Sequence, residues 1–214
     1  MEQKEILEAG ALAIKSINVI EQAYRLVDNE IEVQLWLAVE KAVAKAVSSD
    51  QWRSDLSKNE TNSIDNPWIA KTDWQDEDGV PLAKFYIWGV LPEENNDQWL
   101  LTQICGLGEA EVGIEWAVVY SHKILGLNKL KWRAFAAEQN NNTPKLKELN
   151  FKYKEKEGRW FLPMHVERDE LADAWENEEM DDFLDKTVNR CMQNIFEAVP
   201  EFDRILEEAK NFNQ

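Results

Sequence analysis

Between residues 68 and 120 the chain alternates short apolar runs with clusters of turn-forming residues, and no connection is long enough for a crossover helix. Parallel neighbours need a dozen or more linking residues, so successive strands here must run antiparallel. Residues 68–74 and 82–91 flank Asp76-Glu77-Asp78-Gly79, the composition of a hairpin tip. A turn over 92–97 leads to a third apolar run at 99–105, and another over 106–111 leads to 112–120. In that last run Val112, Ile114, Trp116, Val118 and Tyr120 alternate with Gly113, Glu115, Ala117 and Val119, the two-residue period of a strand. The expectation is a meander.

Helical periodicity surrounds it. Ile6, Gly10, Ala13, Ile17, Ile20, Tyr24 and Val27 recur at three- and four-residue steps, which predicts a helix over about 4–27. Asn29 followed by Glu32 has the form of a capping box for a second helix to about 47. The run Ile31, Val33, Leu35, Leu37, Val39 also alternates like a strand, but the alanines and lysines after it favour the helix. Residues 48–66, rich in Ser, Asn and Asp, predict an irregular connection in which Trp52 and Leu56 reach the core. Beyond the meander, a helix is expected over 125–138, then strands at Leu149, Phe151, Tyr153 and at Trp160, Phe161, Leu162 around a turn at Gly158. Helices follow over about 168–210, with Pro200 placed as the first-turn proline of a new one. The whole, residues 1–214, is expected to be one α+β domain. Its mostly antiparallel sheet of about five to six strands spans 67–163, bracketed by N-terminal and C-terminal helices.

Charge narrows the function. Acids outnumber bases 41 to 24, a formal charge of −17. Such a surface repels phosphate backbones and anionic lipid, so neither direct nucleic-acid binding nor membrane binding is expected. No window approaches a membrane span, and Glu2, Glu5, Glu8 and Glu21 interrupt the N-terminal apolar positions, unlike a signal peptide. Cys105 and Cys191, 86 positions apart, suggest reduced thiols. A cytoplasmic protein follows as the expectation.

Catalytic and metal patterns fall short of their requirements. Cys105 with His122 is the one thiol–imidazole pair considered, and it matches no family signature. Two Cys and two His scattered along the chain do not supply a zinc site. Aligning Gly79 with the sixth position of a calcium loop leaves Phe85 where a carboxylate is required. The acid-x-Lys triplet of a magnesium nuclease is present as Glu2-Gln3-Lys4, in the first helix, and has no equivalent within the strands expected at 68–120. Gly106-Leu107-Gly108 lies beside Glu109 and Glu111, which would repel phosphate. No cofactor is therefore expected, and the chain reads as non-enzymatic. The competing reading is an enzyme with a carboxylate or metal site in the sheet around Glu109, Glu111 and Glu115.

The unusual pattern is a charge block. Residues 167–185 hold ten acids against one base, Arg168, while residues 121–159 hold ten bases against four acids. Asp169, Glu170, Asp173, Glu176, Glu178, Glu179, Asp181, Asp182 and Asp185 are the expected surface for a basic partner protein. A special form of that reading is imitation of DNA phosphates to inhibit a nucleic-acid-binding protein. The opposing one has the acids solvating helix faces or paired with the 121–159 bases. A homo-oligomer is compatible with the sequence.

Overall fold

The computed structural model of the chain describes residues 3–56, 67–91, 98–119 and 125–212. Glu2, Tyr120, His122, the turn at 92–97 and most of the connection before residue 67, all singled out above, lie outside the described residues in whole or part.

Residues 3–46 are helical. Helices α1 (Gln3–Lys15) and α2 (Ile17–Leu26) are followed by a π-helical turn, Val27–Ile31, and by α3 (Glu32–Ala46). Ser16 separates α1 from α2, yet its N–H donates to the Leu12 carbonyl at 3.0 Å and its own carbonyl accepts from Ile20 at 3.0 Å, so the rod continues. The Asn29–Glu32 capping box does not form. Asn29 lies within the π turn and its Nδ2 donates to the Arg25 carbonyl at 2.9 Å. Glu32 instead accepts from the N–H groups of Leu100 and Leu101, at 3.1 and 2.6 Å. Neither α1 nor α2 buries a residue, whereas α3 buries Leu35, Ala38, Val39, Ala42 and Val43.

Six strands form one antiparallel sheet in the order β1-β2-β3-β4-β6-β5, an α+β fold with helices at both ends of the chain. They are β1 (Trp52–Asp55), β2 (Trp68–Lys71), β3 (Ala83–Leu91), β4 (Glu111–Val118), β5 (Lys152–Lys154) and β6 (Arg159–Pro163). The expected hairpin forms. Asp76 accepts from the N–H groups of Asp78 and Val80, and Gly79 takes φ +77°, a conformation that costs glycine nothing. Two sequence expectations are corrected. Within the connection expected to be irregular, β1 pairs with β2 from Trp52↔Lys71 to Asp55↔Trp68. Residues 99–105 form not a strand but the short helix α4 (Leu100–Ile104), whose first N–H groups the distant Glu32 satisfies.

The later elements also shift. Helix α5 (Lys129–Asn142) starts under an Asn128 cap that accepts from Lys131 at 2.9 Å, and it runs through the asparagines expected to end it. Pro144 opens the single turn α6 (Pro144–Glu148), and left-handed Asn150 (φ +68°) delays β5 until Lys152. Helix α7 (Arg168–Glu176) precedes α8 (Met180–Asn211), one helix of 32 residues with Pro200 inside it. The proline does not start a new helix. Buried Ile195, Ala198, Phe202 and Ile205 carry one apolar face past it, and that burial outweighs the hydrogen bond proline cannot donate.

Just after Pro200, three consecutive side chains fasten α8 to three parts of the molecule. The Phe202 ring stacks on Trp116 of β4 at 4.4 Å between centroids and meets Phe85 of β3 and Trp160 of β6 edge-on. Asp203 accepts from Lys71 of β2 at 2.8 Å and from the Trp74 indole at 2.6 Å. Arg204 donates to Gln139 of α5 at 2.9 Å and to the Thr143 hydroxyl. Phe202→Ala is expected to cost about 3–5 kcal/mol, the range for deleting a fully buried aromatic, read as a lower midpoint in urea unfolding.

Candidate functional site

Two places bring charge and apolar surface together. The first is a groove between α3 and the junction of α7 with α8. Gln34, Leu37 and Lys41, spaced by three and four, line one wall; Trp175, Glu176, Glu178, Met180 and Asp181 line the other, around about 850 Å³. Its apolar lining is Leu37, 53% exposed, with half-buried Trp175 and buried Met180. The opening between α7 and α8 depends on a sharp turn in which Glu178 adopts φ +61°.

Of the nine carboxylates expected to share a partner surface, Glu176, Glu178 and Asp181 line this groove. Asp182 and Asp185 follow along α8, while Asp169, Glu170 and Asp173 lie along α7 and Glu179 in the turn. All are exposed except the half-buried Asp185. Their counter-charges come from α3, where Lys41 bonds Asp181 and Lys45 bonds Asp185 at 2.8 Å. Asp169 also bonds its neighbour Arg168 at 2.9 Å. The Asp181 bond, with the charges of Asp182 and Asp185 behind it, raises the Lys41 ammonium above the usual lysine range, the mark of a negative local field. Among the described residues, the ion pairs of the 121–159 segment include none with these nine carboxylates: Lys145 pairs with Glu148, Lys152 with Glu111, and Lys154 and Arg159 with Glu115.

The second place is a cleft of about 550 Å³ where β3, β4, α3 and α4 meet, lined by Trp36, Trp88 and Gln98 together with Glu115, Lys154 and Arg159. A bulge between Ile87 and Gly89 bends β3 and holds Trp88 at φ +67°, a strained conformation for a bulky residue. Its ring packs on Trp36 at 4.3 Å, and its buried indole N–H has no acceptor among the described residues. Gly89 follows because a Cβ there would stand 2.9 Å from that of Glu115. Beneath it, the buried Glu115 carboxylate accepts from Lys154 at 2.6 Å and from Arg159 at 2.7 Å, while Lys154 also reaches the Val90 carbonyl at 3.2 Å.

This clamp bears on the carboxylates considered for catalysis. Both oxygens of Glu115 are committed to cations, and Glu111 is bonded by Lys152 at 2.7 Å. Among the described residues, no three His, Cys, Asp or Glu side chains stand close enough to hold a metal ion. Cys105 is buried at the end of α4, and burial pushes its thiol up. His165 packs over Gly106 and pairs with Glu167 at 3.6 Å. No described helix is long and apolar enough to cross a membrane. Compared with protein-family models, with curated proteins and with solved structures, the chain has no match.

The sequence reading missed the Glu115 clamp. The only signal available was a pair of cations, Lys154 and Arg159, either side of a turn and facing an acid that occupies a strand interior. Glu115→Ala is expected to cost about 3–5 kcal/mol, because the buried Lys154 loses its carboxylate, and adding Lys154→Met should recover part of that loss. Urea unfolding of the single and double variants measures both. For the thiols, burial raises Cys191 from 9.0 to about 11. That raised value contributes stability fully below the unfolded pKa and loses it as pH climbs from 9.0 to about 11. Iodoacetamide at about pH 8 should therefore leave both cysteines unmodified until the protein is denatured. Cys191→Ala should soften the alkaline fall in Tm.

Proposed function

We propose that this protein is a non-enzymatic interaction protein whose acidic C-terminal helices bind a basic partner protein, with the α3/α7/α8 groove as the seat of contact. One observation carries the reading: Glu176, Glu178 and Asp181 line the same groove as Leu37, Trp175 and Met180. An amphipathic segment of the partner meets both kinds of side chain, its apolar residues on Leu37, Trp175 and Met180 and its Lys or Arg on the carboxylates. Carboxylates continuing along α7 and α8 extend the negative field and speed encounter. A half-buried tryptophan lining such a groove is the kind of side chain on which binding energy concentrates.

The test is capture from native extract at about 50 mM and about 0.5 M salt, where the screening length falls to a few Å. The expected result is a basic protein retained at low salt and lost at high salt. Glu176→Lys with Glu178→Lys should weaken it tenfold or more while leaving Tm unchanged, since both side chains are exposed. Recovery of nothing, or of a protein indifferent to both salt and the double variant, defeats the reading. Displacement of the captured protein by duplex DNA would redirect it toward phosphate imitation.

A further inference from the structure

The N-terminal rod presents a different surface from the groove. Helices α1 and α2 bury no residue, and nine of their large apolar side chains are exposed by 45% to 76%. Ile6, Ile17, Ile20 and Tyr24 lie along one face with Leu7 and Ile14 beside it, while Leu12, Val19 and Leu26 lie on the other side; covering the first six would remove on the order of 600 Å² per copy, approaching the roughly 800 Å² that each partner buries in an interface of standard size. Monomers rarely leave so large an apolar patch in water. A helix of this length also needs packing to persist, and among the described residues of its own chain the ring contact found for it is that of Tyr24 with Trp99, 5.6 Å between centroids.

We infer that the rod pairs with the same rod of a second copy of this chain. Ile6, Gly10, Ala13, Ile17, Ile20 and Tyr24 alternate four- and three-residue steps, the spacing of the seam between supercoiled helices. Gly10 and Ala13 are small enough to let two backbones approach closely. Charge is disposed to match. Lys4, Glu5, Glu8, Lys15 and Arg25 all fall at seam-distal positions of this repeat, and only Glu21 flanks the seam.

The balance of that charge selects the occupant. Over residues 3–26, Lys4, Lys15 and Arg25 offset Glu5, Glu8 and Glu21, so the rod is neutral on a chain of net charge −17. A neutral rod meets its own copy without repulsion. It offers a basic partner no more than any apolar surface would. It also lacks the basic face with which interfacial helices hold anionic lipid.

Sedimentation of the full-length chain tests the pairing. The wild type should sediment as a dimer or larger at about 50 µM, in the range where interfaces of this size associate. Ile17→Asp with Ile20→Asp should make it a monomer without lowering the Tm of the body, since both side chains are exposed. Ile17→Ala with Ile20→Ala, which keeps helix propensity high while removing apolar area, should weaken association at least tenfold. Asn18→Asp with Gln22→Asp adds the same charge on the outer face and should leave association intact. A wild type that is monomeric throughout, including one that instead floats with neutral phosphatidylcholine vesicles, overturns the inference. So does association that all three double variants retain, or that the outer-face pair abolishes as fully as the seam pair.

Discussion

The contact on which the architecture depends is the insertion of Phe202 between the helical layer and the middle of the sheet. Its ring touches aromatic side chains from β3, β4 and β6, and its sequence neighbours tie the same turn of α8 to β2 and to α5. Because dispersion is short-ranged, a ring lodged among several others fixes the distance between layers far more tightly than isolated pairs would. The long helix is therefore registered at one point. From there its first turns reach α3, where Lys41 and Lys45 meet Asp181 and Asp185. The groove between α3 and α7 follows from that registration, although none of its lining residues touches the anchor.

Charge is handled by two physically different arrangements. In the sheet, Glu115 is withdrawn from water and clamped by two cations, an arrangement that sets which strands may be neighbours but adds little net stability. On the C-terminal helices, carboxylates remain hydrated and keep a long-range field. Of the lysines and arginines of residues 121–159, Lys154 and Arg159 form the first arrangement. Among the described residues, their proximity in sequence to the acidic block does not translate into ion pairing with it, and Lys152, Lys154 and Arg159 instead join β5 and β6 to β4.

Much of the fold could be read in advance where local chemistry decides structure. Asp76 to Gly79 encodes its own turn, the alternation from Val112 to Val118 encodes a strand facing two environments, and helical spacing marks both ends of the chain. What escaped depends on partners far away in sequence. Residues 100–104 are a short apolar run that suits strand or helix equally, and the decision is made by Glu32, 68 positions earlier. Pro200 looks like a helix start until the buried face on both sides of it is known. For the candidate site, the acid count was visible in the sequence, but the groove needs α3 beside α8, a meeting of residues 140 positions apart. The clamp around Glu115 was hidden for the same reason.

The two outermost strands limit how this molecule can grow. β1 has four residues and β5 only three, and Arg53, Asp55, Lys152 and Lys154 put charge along both. Open hydrogen-bonding margins of a sheet normally invite another chain to add a strand, and short, charged margins discourage it. Polymerisation by strand addition, the route toward fibrils, is thereby disfavoured at both margins of the described sheet. Assembly falls instead to surfaces other than strand margins, the helices foremost.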